Sequence, residues 1–257
     1  MGTFLFNEII FGPVSSRRLG VSLGINLLPT DYKFCTFNCV YCECGWTLKA
    51  DKKIKLPTTE EVKNELEKVL EEYADQGKEI NSITFAGNGE PTIHPDFAQV
   101  IDDTIELRNL WMPEANISVL SNASQLNKTK VTDALKKIDQ NILKLDAGTE
   151  ETYRLINMAQ EHLKFDKIVD YLKSFQGNLI IQTLFIRGSH NGKSFDNTTE
   201  EEVNAWLQLL KEIQPESVML YPIERDTPAE SLEKVSQETL ERIAAKVEAI
   251  GIKTDVY

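Results

Sequence analysis

Short apolar runs, partly β-branched, recur along the chain at residues 21–28, 82–86, 116–121, 142–146, 179–186 and 217–221. Runs of that length and composition, bounded by turn formers, read as strands. Between them the apolar residues change to a 3.6-residue spacing, which places them along one side of a helix. Over 58–76, Thr58 and Glu61 form a capping-box pattern, and Val62, Leu66, Val69 and Tyr73 make the inward stripe. A second helix follows His94 and carries Phe97, Ile101 and Ile105 on one face. A third carries Val131, Leu135 and Ile138, and a fourth Phe165, Ile168, Val169, Leu172 and Phe175. A fifth begins at a Thr199…Glu202 capping box and buries Val203, Trp206, Leu207 and Leu210. A sixth carries Leu240, Ile243, Val247 and Ile250, and Gly251 stops it.

Strands alternating with helices predict parallel pairing through right-handed crossovers. Six such units form either an open barrel or a doubly wound sheet, and periodicity is consistent with both. In both, ligands sit at the C-terminal ends of the strands. The 257 residues suit one domain of this kind, with residues 1–20 as an N-terminal extension packed on it. No apolar run approaches the roughly 20 residues of a membrane helix. The first ten residues are mixed and include Glu8, unlike a signal peptide, so the expected location is cytoplasmic.

Charge changes the picture more than bulk composition does. The net charge is −12, but residues 1–55 hold seven Lys/Arg against four Asp/Glu, so the acidity belongs to the later helices and reads as solvated faces. Holding a folded RNA requires neutralising several phosphates. The basic group, Arg17, Arg18, Lys33, Lys49, Lys52, Lys53 and Lys55, is too small for a broad RNA footprint, and only Trp46 is near it for stacking. No tight nucleic-acid binding is expected, and no membrane association.

The four cysteines, Cys35, Cys39, Cys42 and Cys44, lie within ten residues. A disulfide framework would spread them to staple distant segments, so the cluster reads as ligands. Three thiolates in a C-x3-C-x2-C loop can hold three corners of an iron–sulfur cubane. The fourth metal position then stays open, as in catalytic rather than structural sites. Structural zinc uses two cysteine pairs far apart in sequence, and a redox C-x-x-C leaves Cys35 unexplained. A ferredoxin carries four cysteine ligands per cluster. The three histidines are not at metal-ligand spacing, and His94 reads as a helix-start residue. With Cys44 alone remaining, a second all-cysteine cluster in this chain is excluded.

The C-x3-C-x2-C loop with Tyr41 before its last cysteine resembles the radical S-adenosylmethionine (SAM) superfamily. Phe85-Ala-Gly87-Asn88-Gly89-Glu90-Pro91, after the second strand, is similar to that family's Gly-Gly-Glu-Pro motif with Asn88 inserted. Phe11-Gly-Pro-Val-Ser-Ser-Arg17-Arg18-Leu-Gly20, Leu143-Lys-Leu-Asp146-Ala-Gly148 and Tyr221-Pro-Ile-Glu-Arg225 resemble one branch of it. That branch groups wyosine-type tRNA-modifying enzymes with iron–sulfur oxidoreductases. Wyosine enzymes carry further cluster cysteines that this chain lacks.

The resemblance implies an α/β fold: a partial, open (β/α)6 TIM-like barrel of parallel strands. It implies a [4Fe–4S] cluster on Cys35, Cys39 and Cys42, SAM as second cofactor, and a reductant such as flavodoxin or ferredoxin. The implied reaction is reductive cleavage of SAM to a 5′-deoxyadenosyl radical, which takes hydrogen from a small-molecule or partner-protein substrate. By analogy Gly87, Asn88, Gly89 and Glu90 meet the methionine end. Tyr41, Leu220 and Tyr221 meet adenine, and Asn122 and Asp146 the ribose hydroxyls. For Asn122 a strand-end turn is the structural alternative; Asp146 ends an apolar strand, where a buried carboxylate needs partners. Cys44 is a candidate catalytic thiol or a small packed residue. Arg17 and Arg18 either bind an anion or pair with acids. The rival functions are a tRNA-base-modifying enzyme, an activase of a glycyl-radical enzyme, and a non-catalytic iron–sulfur electron carrier. The glycine-rich Glu motif weighs against the carrier, which has no use for a SAM pocket.

Overall fold

The computed structural model describes residues 4–47 and 54–257. Lys49, Lys52 and Lys53 of the basic group lie outside the described residues. In chain order the strands are β1 (Ile10–Ser16), β2 (Gly20–Ile25), β3 (Ser82–Phe85), β4 (Asn116–Ser121), β5 (Gln140–Lys144), β6 (Ile180–Leu184), β7 (Ile186–His190), β8 (Lys193–Asp196), β9 (Ser217–Tyr221), β10 (Ser231–Lys234) and β11 (Lys253–Val256). The helices are α1 (Thr59–Asp75), α2 (Phe97–Trp111), α3 (Thr129–Leu135), α4 (Glu150–Ile156), α5 (Phe165–Lys173), α6 (Glu200–Ile213) and α7 (Gln237–Glu248). One curled sheet has the order β1-β2-β3-β4-β5-β6-β9-β11, and β10-β7-β8 make a second, antiparallel one. From β2 to β11 the large sheet is parallel, so it is the open half-barrel expected rather than a doubly wound sheet.

All six expected strands form, β4 and β9 with the expected bounds and the other four with shifted ends. β2 stops at Ile25 because the Asn26 side chain turns the chain, accepting from the Leu28 N–H at 3.1 Å. The run 179–186 divides into β6 and β7 at Phe185, whose N–H pairs with the Tyr221 carbonyl at 3.0 Å. The N-terminal extension is part of the sheet itself: β1 pairs antiparallel with β2 as an edge strand. Three elements were not expected at all: β11, α4 and the small sheet. The capping box at Thr58 is complete, with Thr58 Oγ1 accepting from Glu61 N–H and Glu61 Oε2 from Thr58 N–H at 2.7 Å; such a cap contributes about 1 kcal/mol. That at Thr199 is half formed. Glu202 turns instead to β5's continuation, accepting from Gly148 N–H at 2.9 Å and from the Thr149 hydroxyl, and so ties α6 to the barrel.

Strand alternation sorts the sheet into two faces. Ile83, Phe85, Ile117, Val119, Leu143, Ile181 and Val218 face outward and pack under the helices against residues such as Leu66, Ile101 and Trp206. Each such buried side chain contributes roughly 1.5–3 kcal/mol. On the inner face Ile142, Ile180 and Met219 make a small apolar floor with Leu19, Leu120 and Tyr257. Above it the inward residues are polar: Thr84, Lys144, Gln182 and Tyr221 all line one cavity. A barrel filled by packing alone carries branched apolar residues there; this one is built to hold something. Among the described residues no helix is long and apolar enough to cross a membrane.

Candidate functional site

The cysteines sit on the loop that leaves β2, and backbone hydrogen bonds clamp that loop from three sides. Phe34 N–H donates to Asn88 O at 2.7 Å and Glu90 N–H to Phe34 O at 3.2 Å, a parallel bridge at Gly89. Gly89 has φ +141°, and a Cβ there would run into the Phe34 carbonyl. Glycine is therefore required so that the cysteine loop can lie against the end of β3. Asn38 and Val40 N–H donate to the Asn157 and Ile156 carbonyls at the end of α4, both at 3.0 Å, and Ala229 N–H donates to Val40 O at 3.2 Å.

So held, the loop turns its thiols toward a cavity of about 480 Å³ at the C-terminal ends of the strands. Cys35, Cys39, Cys42, Cys44, Tyr41, Gly87, Gly89, Glu90, Asn122 and Tyr221 line it. The sulfurs already face N–H donors: Cys35 Sγ accepts from Phe37 N–H at 3.4 Å and from Asn122 Nδ2 at 3.5 Å, and Cys39 Sγ from Asn157 Nδ2 at 3.5 Å. Lys33 is 2% exposed among them, its ammonium donating to Gly45 O at 3.2 Å. Burial pulls the Lys33 pKa down, but the Cys42, Cys35 and Cys39 sulfurs outweigh it and the net shift is up. Burial pushes Cys35 up to about 12 despite Lys33, and Cys39 up as well. Cys42 goes the other way: the Cys44 thiol donates to it, and with Lys33 this overcomes burial. Cys44 accordingly keeps its proton, its value raised chiefly by that bond to Cys42; its Sγ also reaches Gly87 O at 3.6 Å.

These donors suit thiolate ligands, whose charge N–H groups stabilise. Among the described residues no three His, Cys, Asp or Glu are gathered for a single metal ion. Thiols gathered on the wall of a cavity are a donor set that could hold a metal cluster beside a bound cofactor.

Three expected contact residues do not reach the cavity. Asn88 is 0% exposed, and its side chain acts as a local strand partner: Oδ1 accepts from Phe6 N–H at 2.9 Å while Nδ2 donates to the Phe6 and Pro29 carbonyls, both at 2.8 Å. Leu220 lies inside the sheet, also 0% exposed, with its carbonyl taken by Tyr257 N–H at 3.0 Å. Asp146 lies behind Tyr41, not beside a ribose. Its Oδ2 accepts from the Tyr41 hydroxyl and from Asn157 Nδ2 at 2.7 Å, its Oδ1 from Leu184 N–H at 2.9 Å, and the Lys144 ammonium is 3.4 Å away. The carboxylate is spent on the protein, and it orients Tyr41.

Two further residues line the cavity with most of their polar atoms engaged. Asn122 makes the strand-end turn, its Oδ1 accepting from Ser124 N–H at 3.0 Å, while Nδ2 serves Thr36 Oγ1 and Cys35 Sγ. Glu90 caps the short helical turn Pro91–Ile93; its Oε1 accepts from Thr92 and Ser121, and its Oε2 only from Asn122 N–H, at 2.6 Å. Burial raises its pKa, with these bonds opposing.

The residues that sequence reasoning missed as site members are Lys33, Lys144 and Asn157. Lys144 Nζ is 2.7 Å from the Tyr41 hydroxyl, and its pKa is raised because Asp146, then Tyr221 and Cys39, outweigh desolvation. Lys33 and Lys144 sit inside segments already singled out, but nothing local marks them as buried. Asn157 follows α4, which the apolar pattern did not reveal. Arg17 and Arg18 part company: Arg17 pairs with Glu224 at 3.8 Å, and Arg18 lies over the Tyr221 ring, 4.9 Å from its centroid.

Residues 30–201 match the family described as the Radical SAM superfamily. A UPF0026 protein of Synechocystis sp. is 30% identical over 271 residues, covering 95% of this chain and 94% of that protein. A Brachyspira hyodysenteriae protein named GTPase Obg is 30% identical over 252 residues, covering 96% of this chain but only 35% of that protein. The chain thus spans about a third of that relative. Its own nearest approach to a phosphate loop, Gly188-Ser-His-Asn-Gly192-Lys193-Ser194, is one residue short between the glycines and forms the β7–β8 hairpin, not a strand–loop–helix. The structure of a radical SAM methyltransferase from Sphaerobacter thermophilus aligns with a TM-score of 0.66 at 14% identity, covering 92% of this chain and 65% of that one, a likeness of fold. Because the family match runs over more than half of the sequence and takes in both the cysteine loop and the Gly87–Glu90 turn, the chain belongs to the radical SAM superfamily.

Proposed function

We propose that this protein holds one [4Fe–4S] cluster on Cys35, Cys39 and Cys42 and uses it to cleave SAM reductively, taking hydrogen from a small-molecule or partner-protein substrate. The observation that carries this is the cavity wall itself, where the thiols, their N–H donors and the Gly87–Glu90 turn come together. When bound, cluster and SAM together supply a 5′-deoxyadenosyl radical on arrival of one electron from a flavodoxin or ferredoxin. The chain's residues do the rest. Lys33, Asn122, Asn157 and the Phe37 amide offset thiolate charge. Glu90 Oε2, with one bond from Asn122, keeps a lone pair to accept from the methionine ammonium. Asp146 and Lys144 fix the Tyr41 ring, which leaves the Tyr41 backbone to face adenine. Tyr221 and Leu184 close the inner side and exclude water. Cys44, on the same wall, is the thiol left for a hydrogen-atom or proton role.

The basic residues favour a small substrate over tRNA. Lys33 is buried, Arg17 lies 3.8 Å from Glu224 and Arg225 is paired with Glu43 at 2.9 Å, which leaves Arg18 alone among the described cavity cations without a carboxylate, too little to track a phosphate backbone. Electron paramagnetic resonance of the anaerobically reduced protein tests the SAM site. Adding SAM is expected to change the cluster signal, because an open metal position accepts a new ligand. A spectrum unaltered at saturating SAM would overturn the reading.

A further inference from the structure

Five cations line the cavity: Arg17, Arg18, Lys33, Lys144 and Arg225. Four are compensated: Lys33 by the thiols, Lys144 by Asp146 at 3.4 Å, Arg17 by Glu224 at 3.8 Å and Arg225 by Glu43 at 2.9 Å. Among the described residues no carboxylate pairs with Arg18. Its guanidinium is nevertheless held in place. The turn that carries it is fixed by Ser16 Oγ, which accepts from Arg18 N–H at 3.3 Å and Leu19 N–H at 3.1 Å. Leu19, next in sequence, packs into the apolar floor of the barrel. Above, the guanidinium stacks on Tyr221, and its Nη1 donates to Gln182 Oε1 at 3.4 Å. Gln182 is 4% exposed and is itself fixed by the Tyr221 hydroxyl, which donates to the same oxygen at 3.3 Å.

A lone guanidinium in a walled cavity, with most of its five N–H groups free, is a fork for anionic oxygens. Around it Gln182 offers an amide, and Lys144, the strand neighbour of Gln182, adds positive charge from an ammonium held by Tyr41 and Asp146. The place also separates this site from that assigned to the methionine end of SAM. Gly87–Glu90 follows β3, whereas Gln182 is on β6, three strands along the sheet; at a spacing of about 4.8 Å per strand that is roughly 14 Å around the curl. We propose that Arg18, with Gln182 and Lys144, forms an anion-recognising end of the cavity, and that the substrate is a small molecule bearing a carboxylate or a phosphate. That these residues bind an anion stands on the geometry alone; that the anion belongs to the substrate rests on the function proposed above.

Equilibrium dialysis of the reconstituted full chain against labelled inorganic phosphate and, separately, labelled acetate tests it. The wild type is expected to saturate at a single site with one of the two, and the arm that saturates names the oxyanion class. Arg18→Gln should weaken that binding by about tenfold or more, as loss of a charge-assisted pair does, with Arg18→Lys intermediate and Arg17→Gln within about twofold of wild type. SAM affinity and iron content of Arg18→Gln should stay at wild-type values. The proposal is overturned if neither anion saturates, if Arg18→Gln binds as wild type does, or if SAM affinity falls in step with anion binding, which would make Arg18 a SAM contact. Failure of the cofactor reading shows separately, as absence of iron from the wild type.

Discussion

Anaerobic reconstitution of the Cys35→Ala, Cys39→Ala or Cys42→Ala protein is expected to leave no [4Fe–4S] cluster, against about four irons per wild-type chain. A cubane held at three corners cannot lose one and keep its open fourth position for a ligand. No other thiol is free to replace them: Cys44 is the remaining cysteine of the chain, and its single S–H lies between the Cys42 sulfur and the Gly87 carbonyl. Cys44→Ala should therefore retain the iron and the broad visible absorption. Iron lost in Cys44→Ala but kept in Cys35→Ala would show that the ligand set is misassigned.

The Asp146→Ala protein should be destabilised by about 3–5 kcal/mol, the cost of breaking a buried pair from one side. The Asp146 side chain is wholly buried, and removing it strands the Lys144 ammonium, the Tyr41 hydroxyl and the Asn157 amide together. Because Lys144 is held above its ordinary value, its contribution is present in the neutral range and is lost as pH rises through the raised value. Asn157 also donates to Cys39 Sγ, so the same change loosens a thiol. Denaturant unfolding measures the loss, and Asp146→Asn, which keeps an acceptor for Tyr41, should lose less. A midpoint equal to wild type for Asp146→Ala would show that the carboxylate is not the anchor of Tyr41.

The fold was legible where buried strands carry short, partly β-branched and mostly apolar runs, as in β4 and β9. It was not where strands lie at the sheet's margins. β11 reads Lys-Thr-Asp-Val, half-buried and alternating, and β1 carries Gly12 and Pro13, so neither shows an apolar run. α4 buries Thr152, Tyr153 and Ile156, a face that includes a polar residue and so shows no apolar stripe. The site divides along a similar line. Spacing marks the cysteines, and the resemblance to the family motif marks the Gly87–Glu90 turn, because both are contiguous in sequence. The resemblance places Asp146 and Asn88 against a ligand; what satisfies each is a segment distant in sequence, Tyr41 for one and Phe6 for the other. Arg17 and Arg18 are adjacent and identical, and only the turn between β1 and β2 decides that one meets an acid and the other a ring.

The central claim is tested most directly by the products of SAM. Wild-type protein, reconstituted without oxygen and given a strong reductant, is expected to convert SAM slowly to 5′-deoxyadenosine and methionine even without substrate, as chromatography with mass detection would show. Cleavage at the S-methyl group instead, or intact SAM under full reduction of the cluster, would contradict it.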